Sequence, residues 1–256
     1  LFIYLIDVIS ERRIMQYNNI AFIGFGLIAG SIAKAIRKYR PESRIYAYTN
    51  NRSELLKGKS DGIIDIILEG IDNTLSDCDI VFLCTPVEFN DKYLKDIKPY
   101  IRKDAIITDV GSTKSSIHSL AKELELEDVF IGGHPMAGSE KTGYDASDAL
   151  LLENAYYMIT PSSKINVEKL KVFSGIIVSI KAIPFVIDYQ KHDKVVATVS
   201  HLPHIIAATL VNLVSENDYD DEVMKRVAAG GFKDITRIAS ASPIMWEQIC
   251  MLNSEP

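Results

Sequence analysis

Apolar residues fall in short runs over the first three quarters of the chain, and the pattern then changes once. Asn19-Ile20-Ala21-Phe22-Ile23, Arg44-Ile45-Tyr46-Ala47-Tyr48, Asp79-Ile80-Val81-Phe82-Leu83-Cys84-Thr85-Pro86 and Ala105-Ile106-Ile107-Thr108-Asp109-Val110 are too short and too uncharged for amphipathic helices. They read as parallel strands buried on both faces. Ser31 to Arg37, Glu88 to Tyr100 and the stretch after Lys114 read as helices between them, with His118 exposed on the last. Asn154 to Pro161 and Ala182 to Ile187 read as further strands around a helix over Val167 to Ile180. This alternation predicts an α/β fold with a doubly wound parallel sheet. From Asp188 onward no strand pattern remains. Residues 192–211 form a long apolar run with little charge after Lys194. Such a helix is buried on most sides, in a bundle or a subunit interface, with Pro203 as the expected kink. The expected division is therefore a nucleotide-binding domain over residues 15–187 and an all-α domain over 188–256.

The first strand runs into Gly24-Phe25-Gly26-Leu27-Ile28-Ala29, a G-x-G-x-x-A turn that opens a helix. Gly24 would make the tight turn, Gly26 would let the backbone approach a pyrophosphate, and Ala29 would allow close helix–strand packing. Leu27 and Ile28 place the helix N-terminus, with its unpaired N–H groups, against the phosphates. Strand before and helix after are both present, which lifts the motif above a bare glycine fingerprint. The second strand ends in Thr49-Asn50-Asn51-Arg52 instead of the acidic residue that binds an NAD ribose. Arg52 is able to pair with a 2′-phosphate, and Thr49 or Asn50 with a ribose hydroxyl, so NAD and NADP both stay open. Thr85 and Pro86 close a third strand at the edge where cofactors lie.

The other chemistry-bearing stretch is Gly132-Gly133-His134-Pro135-Met136-Ala137-Gly138-Ser139. Its glycines and proline predict a shaped loop. His134 in such a loop titrates near neutral pH. Ser112, after the Ala105–Val110 strand, is either a helix N-cap or a second group in the same crevice. Ser200 and His204 are four residues apart on the long helix, and a buried polar pair needs partners. His201 and His204 have no nearby acid to complete a metal site. Asp234 and Arg237 have the spacing of an intrahelical ion pair.

Composition narrows the class. The 256 residues are 47% hydrophobic and 24% charged, with a formal net charge of −6. That balance is ordinary for a globular enzyme and disfavours nucleic acid, whose phosphates demand a basic face. The cluster Lys34, Arg37, Lys38 and Arg40 reads as a solvated helix face. Three cysteines form no paired framework, as expected of reduced thiols in the cytoplasm. No membrane partner is expected. The start at Leu1 ahead of Met15 suggests that residues 1–14 are a leader or a mis-assigned start, and the close after Trp246 suggests a truncated second domain.

Taken together, Gly24-Phe25-Gly26-Leu27-Ile28, Asp109-Val110-Gly111-Ser112-Thr113-Lys114, the His134 segment, Ser200-His201-Leu202-Pro203-His204 and Gly230-Gly231-Phe232-Lys233-Asp234-Ile235-Thr236-Arg237-Ile238-Ala239 resemble the prephenate/arogenate dehydrogenase family. The resemblance implies a Rossmann-like domain followed by a helical dimerisation domain. It implies NAD- or NADP-dependent oxidative decarboxylation of prephenate, or of arogenate, in tyrosine biosynthesis, by a homodimer. It makes His134 the catalytic histidine and Ser112 its support. Arg237 would hold a substrate carboxylate, with His204, Ser200 and Trp246 lining the substrate pocket. A hydroxyacid dehydrogenase of similar plan would instead use a lysine such as Lys194, and a silent dinucleotide sensor would need neither His134 nor Arg237.

Overall fold

The computed structural model describes residues 14–139 and 141–254. Apart from Ile14, the expected leader falls outside the described residues. The chain forms two compact units, Leu1–His192 and Asp193–Pro256.

The first unit is built on a five-stranded parallel sheet of β1 (Asn19–Ile23), β2 (Arg44–Tyr48), β3 (Ile66–Ile67), β4 (Ile80–Leu83) and β5 (Ile106–Asp109), in the order β3-β2-β1-β4-β5. Successive side chains alternate faces, and both faces are covered. Ile20, Phe22, Ile80, Phe82 and Ile106 pack into one core, whereas Ala21, Ile23, Val81, Leu83 and Ile107 pack into the other. Helices α1 (Leu27–Tyr39) and α5 (Val167–Ser179) cover the first face through Ile32, Ile36, Phe173 and Ile176. Helices α3 (Asn90–Ile97) and α4 (Ser115–Glu123) cover the second through Tyr93, Leu94, Ile117 and Leu120. A short helix, α2 (Arg52–Ser60), and β3 were not anticipated: α2 carries little apolar periodicity and β3 has two residues.

A second, three-stranded sheet joins β6 (Ile131–Pro135), β7 (Tyr156–Pro161) and β8 (Ile183–Val186). Strand β6 pairs antiparallel with β7, and β7 pairs parallel with β8, so the later strands depart from the all-parallel expectation. The expected loop around His134 is corrected here: residues 131–135 are a strand, with His134 opposite Met158. Gly132 and Gly133 serve close packing and not a turn. A Cβ on Gly132 would collide with the Thr160 hydroxyl, and one on Gly133 would lie 2.6 Å from the Asp109 carbonyl oxygen. Strand β5 and the residues before β6 meet through a parallel bridge, Ile107 to Phe130.

Three further expectations change. His118 is 5% exposed, not solvent-facing. Its ring stacks on Tyr189 at 4.5 Å and meets Thr160 Oγ1 at 2.9 Å. The N-cap of α4 is Lys114, so Ser112 does not cap that helix. The basic cluster on α1 is not simply solvated either. Arg40 is buried and donates to the carbonyls of Ile14 and Tyr17, Arg37 pairs with Asp65, and Lys34 donates to the Ser147 carbonyl.

The second unit is helical among the described residues. The unit boundary falls within α6 (Tyr189–Val196), which continues through a π-helical turn, Ala197–His201, into α7 (Leu202–Asn217). Pro203 has no N–H to donate and clashes with the carbonyl one turn back. The wider turn just ahead of it relieves both, which is where π-bulges are tolerated. Helices α8 (Val223–Val227), α9 (Gly230–Thr236) and α10 (Pro243–Leu252) follow, and Ser242 caps the last by accepting from the Met245 N–H. The span Tyr189–Asn217 is long and apolar enough to cross a membrane by length and composition. Val199, Leu202, Ile205, Ile206 and Leu213 are exposed on it.

The interaction that ties the site to this fold is a buried ion pair. Asp109, at the end of β5, and Lys114 are both fully buried and bonded to each other. The Asp109 carboxylate also accepts from the Gly111 N–H at 2.9 Å and the Gly133 N–H at 3.2 Å. Removing one member strands the other charge in the interior, which costs about 3–5 kcal/mol. Lys114→Met is therefore expected to lower the unfolding free energy from urea titration by an amount in that range, with a lower midpoint, and Asp109→Asn in the same chain is expected to recover part of it. An unchanged midpoint for Lys114→Met would show that the pair is not holding the strand ends.

Candidate active site

The glycine turn and the ends of β1, β2 and β4 enclose a cavity of about 270 Å³ lined by Gly24, Phe25, Gly26, Thr49, Asn50, Glu54, Cys84, Thr85, Pro86, Phe89 and Tyr93. Gly24 has φ +90°, and a Cβ there would lie 2.6 Å from the Cys84 carbonyl oxygen, so this turn needs glycine. No heavy atom lies within 4 Å of a Cβ built on Gly26, which leaves the backbone open to a ligand. Leu27 and Ile28 form the first turn of α1, which has no acidic residue and no side-chain cap. Its free N–H groups and dipole suit a pyrophosphate. Among the described residues the Thr85 hydroxyl, beside this cavity, is buried without a hydrogen-bond partner. A buried polar atom of that kind calls for a ligand or water, and the residues present fit a dinucleotide. Ala29 is buried as expected, but the closest helix approach is at Gly30, where a Cβ would meet Ser147 Oγ at 2.7 Å.

Arg52 does not line this cavity. Its guanidinium makes two hydrogen bonds to Glu69, of 2.6 and 3.1 Å. The charged side chain that faces the cavity is Glu54, whose Oε1 accepts from the Tyr144 N–H at 3.2 Å. In this structure the Arg52 guanidinium is paired with Glu69, and the acid Glu54 lines the cavity. Cys84 borders the same space, and burial, then Asp109, pushes its thiol well above the usual range. A thiol so held is inert.

His134 is 9% exposed and sits near the end of β6. Its Nδ1 lies 2.9 Å from His192 Nε2. Among the described residues no hydrogen bond joins Ser112 to His134; the turn at 111–114 instead buries Lys114 against Asp109. The Nδ1 of His134 is thus engaged with His192.

In the second unit, His204 stacks on Trp246 with ring centroids 3.6 Å apart and planes 8° from parallel. Both line a cavity of about 470 Å³ with Ile205, Ala208, Thr209 and Asn212. Burial holds the His204 imidazole below its usual value, so it stays neutral to lower pH. The Trp246 indole N–H is buried without a hydrogen-bond partner among the described residues. His201 is drawn away from any metal role by Asn253, whose Nδ2 lies 3.2 Å from His201 Nδ1. Ser200 falls in the π-helical turn and does not line the cavity, because the wider turn breaks the four-residue register with His204. Arg237 is exposed at the start of a 3₁₀ turn, and among the described residues it makes no ion pair with Asp234.

Residues 32–184 match the family model described as "Prephenate dehydrogenase, nucleotide-binding domain", and residues 188–256 match "Prephenate dehydrogenase, dimerization domain". The chain belongs to the prephenate dehydrogenase family. The apolar helix Tyr189–Asn217 lies within the residues that match the dimerization-domain model. A prephenate dehydrogenase of Lactococcus lactis is 41% identical over 241 residues, covering 93% of this chain and 66% of the relative. One of Bacillus subtilis is 37% identical over 240 residues, covering 93% and 65%. The chain thus spans slightly under two thirds of the length of these relatives. The crystal structure of prephenate dehydrogenase from Aquifex aeolicus in complex with hydroxyphenyl propionate and NAD⁺ superimposes with a TM-score of 0.86 at 33% identity, covering 93% of this chain and 83% of that one.

Within the family frame, His192, Asp109, Lys114 and Glu54 are the residues that sequence reading did not select. Glu54 had one usable signal, an acid in the helical turn after β2. His192 had none, since its proximity to His134 spans 58 positions.

Proposed function

We propose that this chain carries out the oxidative decarboxylation of prephenate to 4-hydroxyphenylpyruvate with NAD⁺, as a cytoplasmic enzyme of tyrosine biosynthesis that acts as a homodimer. The observation that carries this reading is the buried His134 imidazole, anchored at Nδ1, in a chain that matches both domains of the family. The substrate ring bears a hydroxyl on the carbon that must lose hydride. A neutral imidazole in hydrogen-bond reach takes the hydroxyl proton and pushes electron density toward hydride departure. An NAD⁺ held by its pyrophosphate at the glycine turn would supply the hydride acceptor. The ring carboxylate then leaves as carbon dioxide, its bonding electrons aromatise the ring, and the ring oxygen regains a proton. The base therefore ends as it began, and no net proton is released. Arg237 is assigned to a substrate carboxylate, which a planar guanidinium binds through two parallel hydrogen bonds. His204 and Trp246 are assigned to the substrate because they border a cavity together.

Arogenate, which carries an amino group where prephenate has a ketone, is the second reading. It is favoured by an arogenate dehydrogenase of Synechocystis, whose structure superimposes at a TM-score of 0.80 with 28% identity. The deciding experiment incubates the purified chain with either substrate and either cofactor and follows the reduced cofactor. Prephenate with NAD⁺ is expected to be the fastest pair, and no reduction with any pair would overturn the dehydrogenase reading. His134→Asn is expected to lower kcat by about 10²–10⁴-fold with cofactor binding kept; near-normal turnover would remove His134 from the chemistry.

The preference for NAD⁺ follows from charge. A 2′-phosphate would enter a cavity that holds the Glu54 carboxylate while Arg52 is paired with Glu69. One like charge at close range in a wet site is worth about 1 kcal/mol. Glu54→Gln is expected to raise NADP⁺ affinity relative to NAD⁺ about fivefold in a calorimetric titration. An unchanged ratio would show that Glu54 does not set cofactor choice.

A further inference from the structure

We propose that His192 is the positioning residue of the catalytic base: it fixes the tautomer and the orientation of the His134 ring. This rests on the assignment of His134 as the base. The two rings meet through His134 Nδ1 and His192 Nε2 at 2.9 Å, with ring planes 63° apart. His192 is fully buried and His134 nearly so. Each backbone is independently held. His134 is in register with Met158 across the β6–β7 ladder. The His192 N–H donates to the Asp188 carbonyl at 2.8 Å. The Asp188 carboxylate in turn caps this turn by accepting from the Gln190 and Lys191 N–H groups, both at 3.0 Å. Neither ring is placed by the other alone, so their meeting is built by the fold.

The chemistry then sets the direction of the bond. A neutral imidazole has one N–H and one lone pair. To take a proton at Nε2, His134 must carry its hydrogen on Nδ1. That N–H needs an acceptor in the interior, and His192 Nε2 is the acceptor the structure provides. His192 then carries its own hydrogen on Nδ1. With an apolar side chain at position 192, the buried Nδ1–H loses this partner, and the tautomer with hydrogen on Nε2, which is unable to act as the base, gains population. A neutral ring differs from the carboxylate that orients histidine in hydrolase triads. It orients without stabilising a lasting positive charge. That suits a base that must return its proton once the ring has become aromatic.

The test compares the full-length chain with His192→Leu and His192→Gln, whose amide oxygen retains an acceptor near the Nε2 position. Nitrogen-15 spectra of the side chains are practical because the chain has only five histidines, assignable by single substitutions. The wild-type His134 signals are expected to show hydrogen on Nδ1. His192→Leu is expected to shift the population toward hydrogen on Nε2 and to lower kcat at least about tenfold. The substrate KM and NAD⁺ affinity are expected to stay within error, and His192→Gln is expected to restore most of kcat and the wild-type tautomer. A His192→Leu protein with an unchanged tautomer and kcat would overturn the inference, and so would a loss of kcat that His192→Gln does not restore. A wild-type chain that reduces no cofactor would instead overturn the functional reading, while the tautomer spectra would still decide the role of His192.

Discussion

One buried carboxylate organises the catalytic edge of this protein. Asp109 ends a strand in the middle of the fold, fully shielded from water, with Lys114 beside it and two backbone N–H groups bonded to it. A lone charge in that position would be very costly, whereas a paired and hydrogen-bonded one is tolerated. The consequence is geometric. The bond to the Gly133 N–H ties β6 to the end of β5, and Gly133 must lack a side chain because a Cβ would strike the Asp109 carbonyl. The residue that follows is His134. Its placement is therefore a result of charge burial one strand away, and the third member of the arrangement, His192, meets it from a helix that begins after β8.

The cofactor half of the site works by omission. Gly24 and Gly26 keep the backbone bare where α1 begins, and no acid occupies the first turn of that helix. Phosphate is thus met by N–H groups and a favourable dipole. Discrimination against a second phosphate does not come from the end of β2, where it is usually found. The charge that lines the cavity is Glu54 in the next helix, while Arg52 is paired with Glu69, and the proposed discrimination rests on these two placements.

Much of the fold was legible in the amino-acid sequence. The strands at 19–23 and 44–48 have the bounds that their apolar runs predict, because a strand buried on both faces admits almost no polar residue. The failures share a cause. Gly132 and Gly133 read as a loop because glycine signals a turn locally, whereas here it answers a neighbouring strand that is far away in sequence. His118 read as exposed because Thr160 and Tyr189, which enclose it, lie more than forty positions on. Ser112 was expected beside His134, yet the turn it belongs to spends its geometry on Lys114. Partners in different elements leave no periodic trace, and His134–His192, 58 positions apart, and Arg52–Glu69, 17 apart, are both of that kind.

The most direct test of the catalytic role assigned to this sheet edge is stoichiometric. Prephenate and NAD⁺ are supplied to the purified chain, and reduced cofactor and released carbon dioxide are measured in the same vessel. Equal amounts of the two are the expected result, since each hydride transferred is followed by the loss of one carboxylate as the ring aromatises. Reduced cofactor without carbon dioxide, or carbon dioxide without reduced cofactor, would contradict it.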